Sequence, residues 1–399
     1  MKELLLSGGC LAFLGLYFLS ERLRIRKTVR SIPLRICVTG TRGKSSVVRL
    51  IAACLKEAGF SVLARTTGSK PVIIFPDGEE KEIHRRGYPS ILEGKRLLKL
   101  GAELRVDALV SELMSIHPEC SFVESIQMHN PHILVITNVR LDHIAQMGTT
   151  REDIACCFAS SFPENGTVFV LKEEFYPVFE KSAHGLNSRI VQVDRGSLQG
   201  YSESYAERLP HEFEENIRLV IALAEHLKIE KDIILRGLNK VQPDFGSLKM
   251  WAMNVEVPSQ RWILVNGFAA NDPDSTRRVL SGLVKKDFLK GKNAVGLLNL
   301  RRDRGDRTIQ WLRSLGENTF PELRKIFLIG EHASAFKKRL KRLAAMETFT
   351  LKSRTPKGIL EEISKRVKAE TVLVGMGNMG GAGRELVEYW EERGKPYDF

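Results

Sequence analysis

The sequence predicts two α/β domains with parallel sheets, preceded by an apolar N-terminal helix. From residue 34 to the C-terminus, short apolar segments alternate with amphipathic ones, which is typical of parallel strands joined by helices. A glycine-bracketed turn follows the first apolar segment, and residues 4–20 carry no charge. We place an anchor with a basic linker at 1–30, a first domain at 31–247 and a second domain at 248–399.

The composition favours acidic ligands. The 399 residues include 61 Lys and Arg against 48 Asp and Glu, a net charge of +13, which suits nucleotides, acidic substrates or an anionic membrane surface. We find no nucleic-acid recognition motif and expect no nucleic-acid partner. The six cysteines show no spacing typical of metal ligands, so we expect reduced thiols and no disulfides.

The uncharged N-terminal stretch indicates a membrane anchor. Residues 4–20 would form a helix of about 25 Å, at the short end for a bilayer core of about 30 Å. A cleaved signal peptide is the alternative, but no small-x-small cleavage site follows. Basic residues come directly after the stretch, so the positive-inside rule predicts a single-pass protein of the cell membrane with cytoplasmic catalytic domains. These basic residues are Arg22, Arg24, Arg26, Lys27 and Arg30.

In the first domain, we predict strands and helices that alternate behind the linker, with residues 68–90 as a loop or a small excursion over the active-site face. The predicted strands are 34–38, 62–65, 108–111, 133–137 and 168–171. The predicted helices are 45–58, 91–100, 151–162, 214–227 and 231–238.

The second domain repeats this alternation after a turn-rich boundary at 242–249. The predicted strands are 262–265, 294–300, 326–329 and 372–374. The predicted helices are 275–286, 308–315, 333–343, 357–367 and 384–392.

The turn after the first strand predicts a phosphate-binding loop. Its backbone N–H groups and the N-terminus of the following helix can cradle phosphate oxygens, while Lys44 reaches the β/γ-phosphates and Ser45 ligates Mg²⁺. The usual G-x-x-x-x-G-K-[ST] pattern would need glycine where Val38 stands. A plain surface turn is the alternative. The predicted ATP-binding residues here are Gly40, Thr41, Arg42, Gly43, Lys44, Ser45 and Ser46.

Two further strand ends carry polar side chains that belong at the same edge of a parallel sheet. Glu112 ends one strand, and Asn138 begins a segment that reaches Asp142-His143. With Ser45, the Glu112 and His143 side chains could hold magnesium, for which oxygen ligands are usual. Taken singly, Glu112 could be an exposed carboxylate and Asp142 a helix cap.

The second domain has three polar turns of its own. Asn271 and Asp272 follow a strand, and an arginine-rich loop with Arg301, Arg304 and Arg307 follows another. These arginines suit phosphate or an acidic chain, and a solvated charged loop is the alternative. Residues 375–383 form a glycine-rich turn whose spacing differs from G-x-G-x-x-G.

Together these motifs resemble the Mur ligase superfamily, which includes folylpolyglutamate synthase. Gly40 to Ser45 resembles its shortened phosphate loop, Glu112 its strand-end glutamate and Asp142-His143 its Asp-His element. Asn216 lies in a segment similar to its Asn-containing helix start. The resemblance implies a P-loop central domain and a Rossmann-like C-terminal domain. It also implies ATP binding by Asn216, Asn271, Asp272, Arg301, Arg304 and Arg307.

Four segments, 66–68, 111–114, 265–272 and 303–307, resemble those of one group within that superfamily. On them, nearly the whole chain resembles the membrane-anchored amide ligases of poly-γ-glutamate synthesis. This implies that ATP and Mg²⁺ drive glutamate addition through an acyl phosphate, with Lys44, Glu112 and His143 in catalysis. The implied partners are glutamate, the poly-γ-glutamate chain, the membrane and small integral-membrane subunits.

The sequence departs from the superfamily in two places. No lysine lies between His143 and Lys172, where several Mur ligases use a carbamylated lysine. The element that joins the domains lacks its usual arginine, and Lys249 is a doubtful replacement. A related ligase for another carboxylate, such as a folate, is therefore an alternative. A non-catalytic, membrane-tethered nucleotide-binding scaffold is another.

Overall fold

The computed structural model describes residues 2–68, 70–85, 87–198, 200–201, 214–242, 248–256, 259–285, 287–303, 305–344, 346–367 and 370–397. The described residues up to 242 form one compact unit, and those from 248 onward form another. They are called unit 1 and unit 2 below. The site residue Arg304 lies outside the described residues.

An eight-stranded sheet forms the centre of unit 1. Its strands are β1 (Leu34–Thr39), β2 (Val62–Arg65), β3 (Val72–Ile74), β4 (Glu80–Glu82), β5 (Ala108–Glu112), β6 (Ile133–Ile136), β7 (Thr167–Leu171) and β8 (Arg189–Val193). Their order is β4-β3-β2-β5-β1-β6-β7-β8. Strand β1 is therefore central and parallel to both β5 and β6.

The helices of unit 1 cover both faces of this sheet, as alternation predicts. They are α1 (Lys2–Arg30), α2 (Lys44–Glu57), α3 (Glu93–Glu103), α4 (Pro118–Phe122), α5 (Ile144–Met147), α6 (Arg151–Ala159), α7 (Pro177–Gly185), α8 (Glu214–His226) and α9 (Lys231–Lys240). A π-helix, Val123–His129, follows α4 directly. One core lies between α2, α8, α9 and the sheet, and a second lies under α6 and α7.

The prediction of a loop over residues 68–90 was wrong in part, because this segment contains an antiparallel hairpin. Strand β3 pairs with β2 and with β4, and the turn between β3 and β4 closes when the Phe75 N–H donates to the Glu79 carbonyl. Gly78 supplies the left-handed conformation there, with φ of 97°. Strands of three residues at a sheet edge give too short an alternation for detection from sequence.

The N-terminal prediction needs correction. Residues 2–30 do form one helix, α1, whose Val29 packs in a small core with Leu97 and Leu98 of α3. Within the part of the chain that the structure describes, no helix is long and apolar enough to cross a membrane. Glycines and serines interrupt the apolar residues of the stretch, and charges begin at Glu21. The cell-membrane location stays a prediction.

Unit 2 contains a seven-stranded mixed sheet of order β13-β12-β11-β14-β10-β9-β15. These strands are β9 (Met250–Glu256), β10 (Ser259–Val265), β11 (Asn293–Leu300), β12 (Lys325–Gly330), β13 (Glu347–Thr350), β14 (Thr371–Gly377) and β15 (Lys395–Pro396). Its helices are α10 (Pro273–Lys285), α11 (Gly305–Gly316), α12 (Ala333–Leu340), α13 (Pro356–Ser364) and α14 (Ala382–Arg393).

The prediction of parallel sheets holds for β10 to β14 and fails at the β9 edge. Strand β9 runs antiparallel to β10 and to β15. The sequence did not predict β9, because only part of the strand alternates between apolar and polar positions. Trp251, Ala252 and Met253 are consecutive apolar residues. Both units are thus mixed α/β sheets.

Helix α2, which follows the glycine-bracketed turn, is held in place by close contact with α9. Gly237 allows this approach, since a Cβ atom there would lie 2.6 Å from the Cys54 Cα and 3.0 Å from its amide nitrogen. The Sγ atom of Cys54, on α2, lies 3.8 Å from the carbonyl oxygen of Ile234, on α9. The helix that begins at Lys44 therefore depends on a glycine far along the chain.

We predict that Gly237→Ala lowers the free energy of unfolding of unit 1 by about 1–3 kcal/mol, because the added methyl group meets backbone rather than a flexible side chain. Urea unfolding followed by far-ultraviolet circular dichroism measures the change. Tryptophan fluorescence reports separately on unit 2, which contains all four tryptophans: Trp251, Trp262, Trp311 and Trp390.

Gly185→Ala provides the matched control in unit 1. No atom lies within 4 Å of a Cβ built at this exposed glycine at the end of α7. Its effect should stay within about 0.5 kcal/mol, as for most surface substitutions. Equal unfolding midpoints for the two variants would contradict the proposed helix contact.

Candidate active site

The loop that follows β1 lies where the ends of β1, β5 and β6 meet. Gly40 has φ of 127° and Gly43 has φ of 79°, conformations that favour glycine. A Cβ at Gly40 would come within 2.8 Å of the Thr137 amide nitrogen, so the loop backbone passes directly over the end of β6. Helix α2 begins at Lys44, immediately after Gly43. The sequence-predicted strand–turn–helix arrangement is therefore present.

One side chain holds the backbone of this loop at Arg42. The Arg42 N–H donates to Asn138 Oδ1 at 3.0 Å, and the Asn138 Nδ2 donates back to the Arg42 carbonyl at 3.0 Å. Thr137 Oγ1 also donates to that carbonyl, at 2.6 Å. Asn138 is 2 % exposed, so these bonds form away from solvent. The loop is thus preorganised before any ligand arrives.

Lys44 lies folded back over the loop. Its ammonium group donates to the Gly40 carbonyl at 2.8 Å. Desolvation inside the loop lowers the pKa of Lys44, and the nearby Glu112 carboxylate opposes that shift while Arg42 adds to it. Lys44 is therefore held against the loop backbone, where the charges of Glu112 and Arg42 act on it in opposite directions.

Ser45 and Glu112 form a direct pair at the mouth of the loop. The Ser45 hydroxyl donates to Glu112 Oε2 at 2.7 Å, and the Thr67 N–H donates to the same oxygen at 2.7 Å. Gly68 leaves room for the pair, since its Cβ would lie 2.7 Å from Ser45 Oγ. The structure thus brings together two predicted site residues that lie 67 positions apart.

Arg42, Asp142 and His143 form a second group beside the loop. Arg42 Nη1 lies 3.1 Å from Asp142 Oδ2, and His143 Nε2 lies 3.7 Å from the same oxygen. His143 adopts φ of 48°, the left-handed conformation that is uncommon for residues other than glycine. Asp142 is 3 % exposed, so the guanidinium partner compensates a buried carboxylate.

Asn216, near the start of α8, lies against the loop at Gly43. A Cβ at Gly43 would lie 2.6 Å from Asn216 Oδ1. Asn216 is 2 % exposed, and within the described residues its Nδ2 has no hydrogen-bond partner. A buried amide donor without a partner is costly, so a ligand oxygen or water at this point would stabilise the arrangement.

Ser46, another predicted site residue, follows Ser45 in α2 and is half-buried.

The residues of this site fit a magnesium ion that retains waters and phosphate ligands. Ser45 Oγ and Glu112 Oε2 are both hard oxygen donors, and their 2.7 Å separation places them on one side of a potential coordination sphere. Among the described residues, no three His, Cys, Asp or Glu side chains cluster closely enough to hold a metal ion. His143 lies beside Asp142, and its predicted role as a metal ligand stays a prediction.

In unit 2, Asp272 caps the following helix. Its Oδ1 accepts from the Ser275 N–H at 2.8 Å and its Oδ2 from the Ser275 hydroxyl at 2.7 Å. The neighbouring Asn271 offers its carbonyl to the Trp311 indole at 3.2 Å. The helix cap is thus a definite structural role for Asp272, and nucleotide binding by these two residues stays a prediction.

Two of the predicted arginines of unit 2, Arg301 and Arg307, lie close to the glycine-rich turn at 375–383. Arg307 Nη1 donates to Asn378 Oδ1 at 3.1 Å, and the Asn299 Nδ2 donates to the Asn378 carbonyl at 2.6 Å. A Cβ at Gly380 would lie 3.1 Å from Arg301 Cζ, so that guanidinium lies over the turn. Arg301 also pairs with Asp303 at 2.8 Å. The ends of β11 and β14 therefore carry a joined polar network.

Sequence reasoning missed the buried pair behind Glu112. Arg65 Nη2 donates to the Glu112 carbonyl at 3.0 Å and to Glu124 Oε1 at 3.1 Å. Glu124 also accepts from the N–H groups of Met114 and Ser115. It belongs to the π-helix, a rare element that is frequent at functional sites. No periodicity in the sequence marks such an element.

Family comparisons divide the chain at the same region as the two units. The Mur ligase middle domain matches residues 38–234, and the poly-gamma-glutamate synthase CapB C-terminal domain matches residues 253–393. The capsule biosynthesis protein CapB of Bacillus anthracis is 30% identical over 396 residues, covering 97% of this chain and 83% of that protein. The chain belongs to the CapB family. This confirms the predicted resemblance and, at the level of the family, the prediction of a poly-γ-glutamate synthase ligase.

A second relative and two solved structures are similar over nearly the whole chain. PGA synthase CapB of Bacillus subtilis strain 168 is 30% identical, covering 96% of both chains. One solved structure is a Yersinia pestis bifunctional folylpolyglutamate synthase/dihydrofolate synthase complexed with AMPPNP and a Mn ion. Its TM-score is 0.67 at 14% identity, and the match covers 93% of this chain and 92% of that chain. The other is MurF from Acinetobacter baumannii, with a TM-score of 0.64 at 16% identity, and the match covers 91% of this chain and 78% of that chain. These structures confirm the Mur-ligase-like fold.

We predict that Asn138→Ala weakens nucleotide binding about tenfold, a loss of about 1.4 kcal/mol. The substitution leaves both backbone groups of Arg42 without this partner, so the loop loses its preorganised shape. Calorimetric titration with AMPPNP and magnesium measures the affinity without requiring turnover.

Asn239→Ala is the control, since Asn239 is an exposed helical asparagine in the same unit. It should bind AMPPNP as the unaltered chain does. If Asn138→Ala keeps full affinity while circular dichroism shows an intact fold, the Asn138 contacts do not organise the loop.

Proposed function

We propose that this protein is an ATP-dependent amide ligase that extends poly-γ-glutamate at a terminal carboxylate. The observation that carries the proposal is the Ser45–Glu112 pair beside Lys44, at the end of the central strands. Membership of the CapB family supports the choice of glutamate and its polymer as substrates.

In the proposed reaction, an oxygen of the terminal carboxylate attacks the γ-phosphorus of ATP, and the bond to ADP breaks. The amine of an incoming glutamate then attacks the carbonyl carbon of the acyl phosphate. The C–O bond to phosphate breaks, phosphate leaves, and the amine proton passes to solvent. The first step places negative charge on the phosphoryl oxygens and the departing ADP, and the second places it on the former carbonyl oxygen and the departing phosphate. Both therefore favour a site built from fixed positive groups.

The residues of unit 1 meet this demand without rearranging the chain. Lys44 and the N–H groups at the N-terminus of α2 would offset charge on the transferred phosphoryl group, and that helix terminus adds its dipole. Ser45 and Glu112 would hold Mg²⁺. When bound, that ion neutralises phosphate charge and polarises the phosphoryl group. The Thr67 N–H keeps the Glu112 carboxylate oriented toward Ser45.

We predict that Glu112→Gln lowers glutamate-dependent phosphate release about 100-fold or more, as when a charge-stabilising group is removed from an active site. The amide can still accept from Ser45 and Thr67, so the variant tests charge rather than shape. The measurement is phosphate release with ATP, magnesium, glutamate and a poly-γ-glutamate acceptor.

Glu103→Gln serves as the control, because Glu103 is an exposed carboxylate of the same unit. It should leave turnover unchanged. Full activity of Glu112→Gln would favour a nucleotide-binding scaffold over a ligase. Phosphate release that depends on a folate acceptor, and not on poly-γ-glutamate, would favour a related ligase with another carboxylate substrate.

A further inference from the structure

A basic groove in unit 2 lies apart from the strand ends that carry Arg301 and Arg307. Its cavity measures about 750 Å³, within the range of roughly 300–1,000 Å³ typical of ligand pockets. It is lined by the start of β10, by α13 and α14, and by the last strand, β15. Its polar lining comprises Arg261, Lys357, Glu361, Tyr389, Arg393 and Lys395, among other residues.

The charge of the groove is strongly positive. Four cations face one carboxylate among its lining residues, a net charge of +3. Lys357 lies 4.0 Å from Glu361 and Arg393 lies 3.8 Å from Glu392, separations near the limit for an ion pair. Arg261 and Lys395 have no ion-pair partner among the residues that the structure describes. A groove with unneutralised cations attracts an anionic ligand.

Two other basic residues of unit 2 have closer ion-pair partners. Arg277 lies 2.7 Å from Glu322, and Lys325 lies 3.1 Å from Glu347. The cations of the groove are therefore less closely compensated than these two.

The backbone at the groove is also open to a chain-like ligand. Strand β15 pairs only with Trp251 and Ala252 of β9, so within the described residues no strand covers the outer edge of 253–255. Those three residues line the groove. An uncovered strand edge presents N–H and C=O groups that can bond to an extended chain with amide groups.

We propose that this groove of unit 2 binds the anionic poly-γ-glutamate chain through residues other than those of the site in unit 1. This inference rests on the proposed function, which supplies a substrate with repeated carboxylates and amides. Arginine forks suit carboxylates, and the strand edge suits the amides between them. The size of the cavity fits a stretch of chain better than a single small anion. Binding here retains the polymer between additions and so lengthens the product.

The test uses the full chain with Arg261→Glu and Lys395→Glu combined. Fluorescently labelled poly-γ-glutamate should bind this variant about tenfold more weakly at low salt, because both uncompensated cations are reversed. The polymer made from ATP and glutamate should be shorter. Phosphate release with free glutamate and a short acceptor should match that of the unaltered chain, since neither residue belongs to the site in unit 1.

Lys338→Glu combined with Lys341→Glu is the matched control, with the same change of net charge at exposed positions on and just after α12. It should retain polymer binding and product length. Equal loss in both double variants would overturn the inference, because general charge would then explain binding. So would unchanged binding in the groove variant.

A competing oligonucleotide of equal charge distinguishes the class of ligand. If the oligonucleotide displaces labelled poly-γ-glutamate as well as unlabelled poly-γ-glutamate does, and the groove variant no longer binds the oligonucleotide, the assignment to a polycarboxylate would be overturned. The two proposals fail in different ways. If the proposed function is wrong, the unaltered chain releases no glutamate-dependent phosphate. If only this inference is wrong, that release is intact and the groove variant binds the polymer normally.

Discussion

The candidate active site of unit 1 depends on how the backbone of one residue, Arg42, is held. The N–H and C=O groups of Arg42 both bond to the side chain of Asn138, which imitates the pairing of a neighbouring strand. Thr137 adds a second donor to the same carbonyl. The backbone at Gly40 and Gly43 can therefore stay in conformations that ordinary residues avoid, and Lys44 starts its helix in a defined direction.

The arrangement around Glu112 extends the same constraint to the neighbouring strand. Val38 and Glu112 are register partners in β1 and β5, so the end of one strand determines where the other presents its carboxylate. Ser45 and Thr67 hold that carboxylate on one side, while Arg65 bonds to its backbone carbonyl. A second metal ligand from a lysine after Asp142-His143 is absent from the sequence. The proposed cation site therefore rests on the oxygen pair of Ser45 and Glu112.

Much of this could be predicted from sequence because polar residues at the ends of parallel strands converge at one edge. That rule found Ser45 and Glu112 together, although 67 positions separate them. It could not find Glu124, which reaches the site from a π-helix with no recognisable pattern. The β3–β4 hairpin and β9 were missed because short or partly apolar strands lack a clear alternation. Asp272 was predicted to bind nucleotide, whereas its visible bonds cap a helix, a role that any Asp before a helix can adopt.

The bond between the Lys44 ammonium and the Gly40 carbonyl has a consequence for selectivity. Without a ligand, the partly buried lysine already has an oxygen partner, so an incoming anion gains only the difference between two contacts. A single orthophosphate brings few additional bonds to offset that exchange. In the proposed function, a triphosphate would reach the lysine and the helix N-terminus at once, and it would replace the internal bond with several. The resting loop would then favour the nucleotide over the phosphate that the reaction releases.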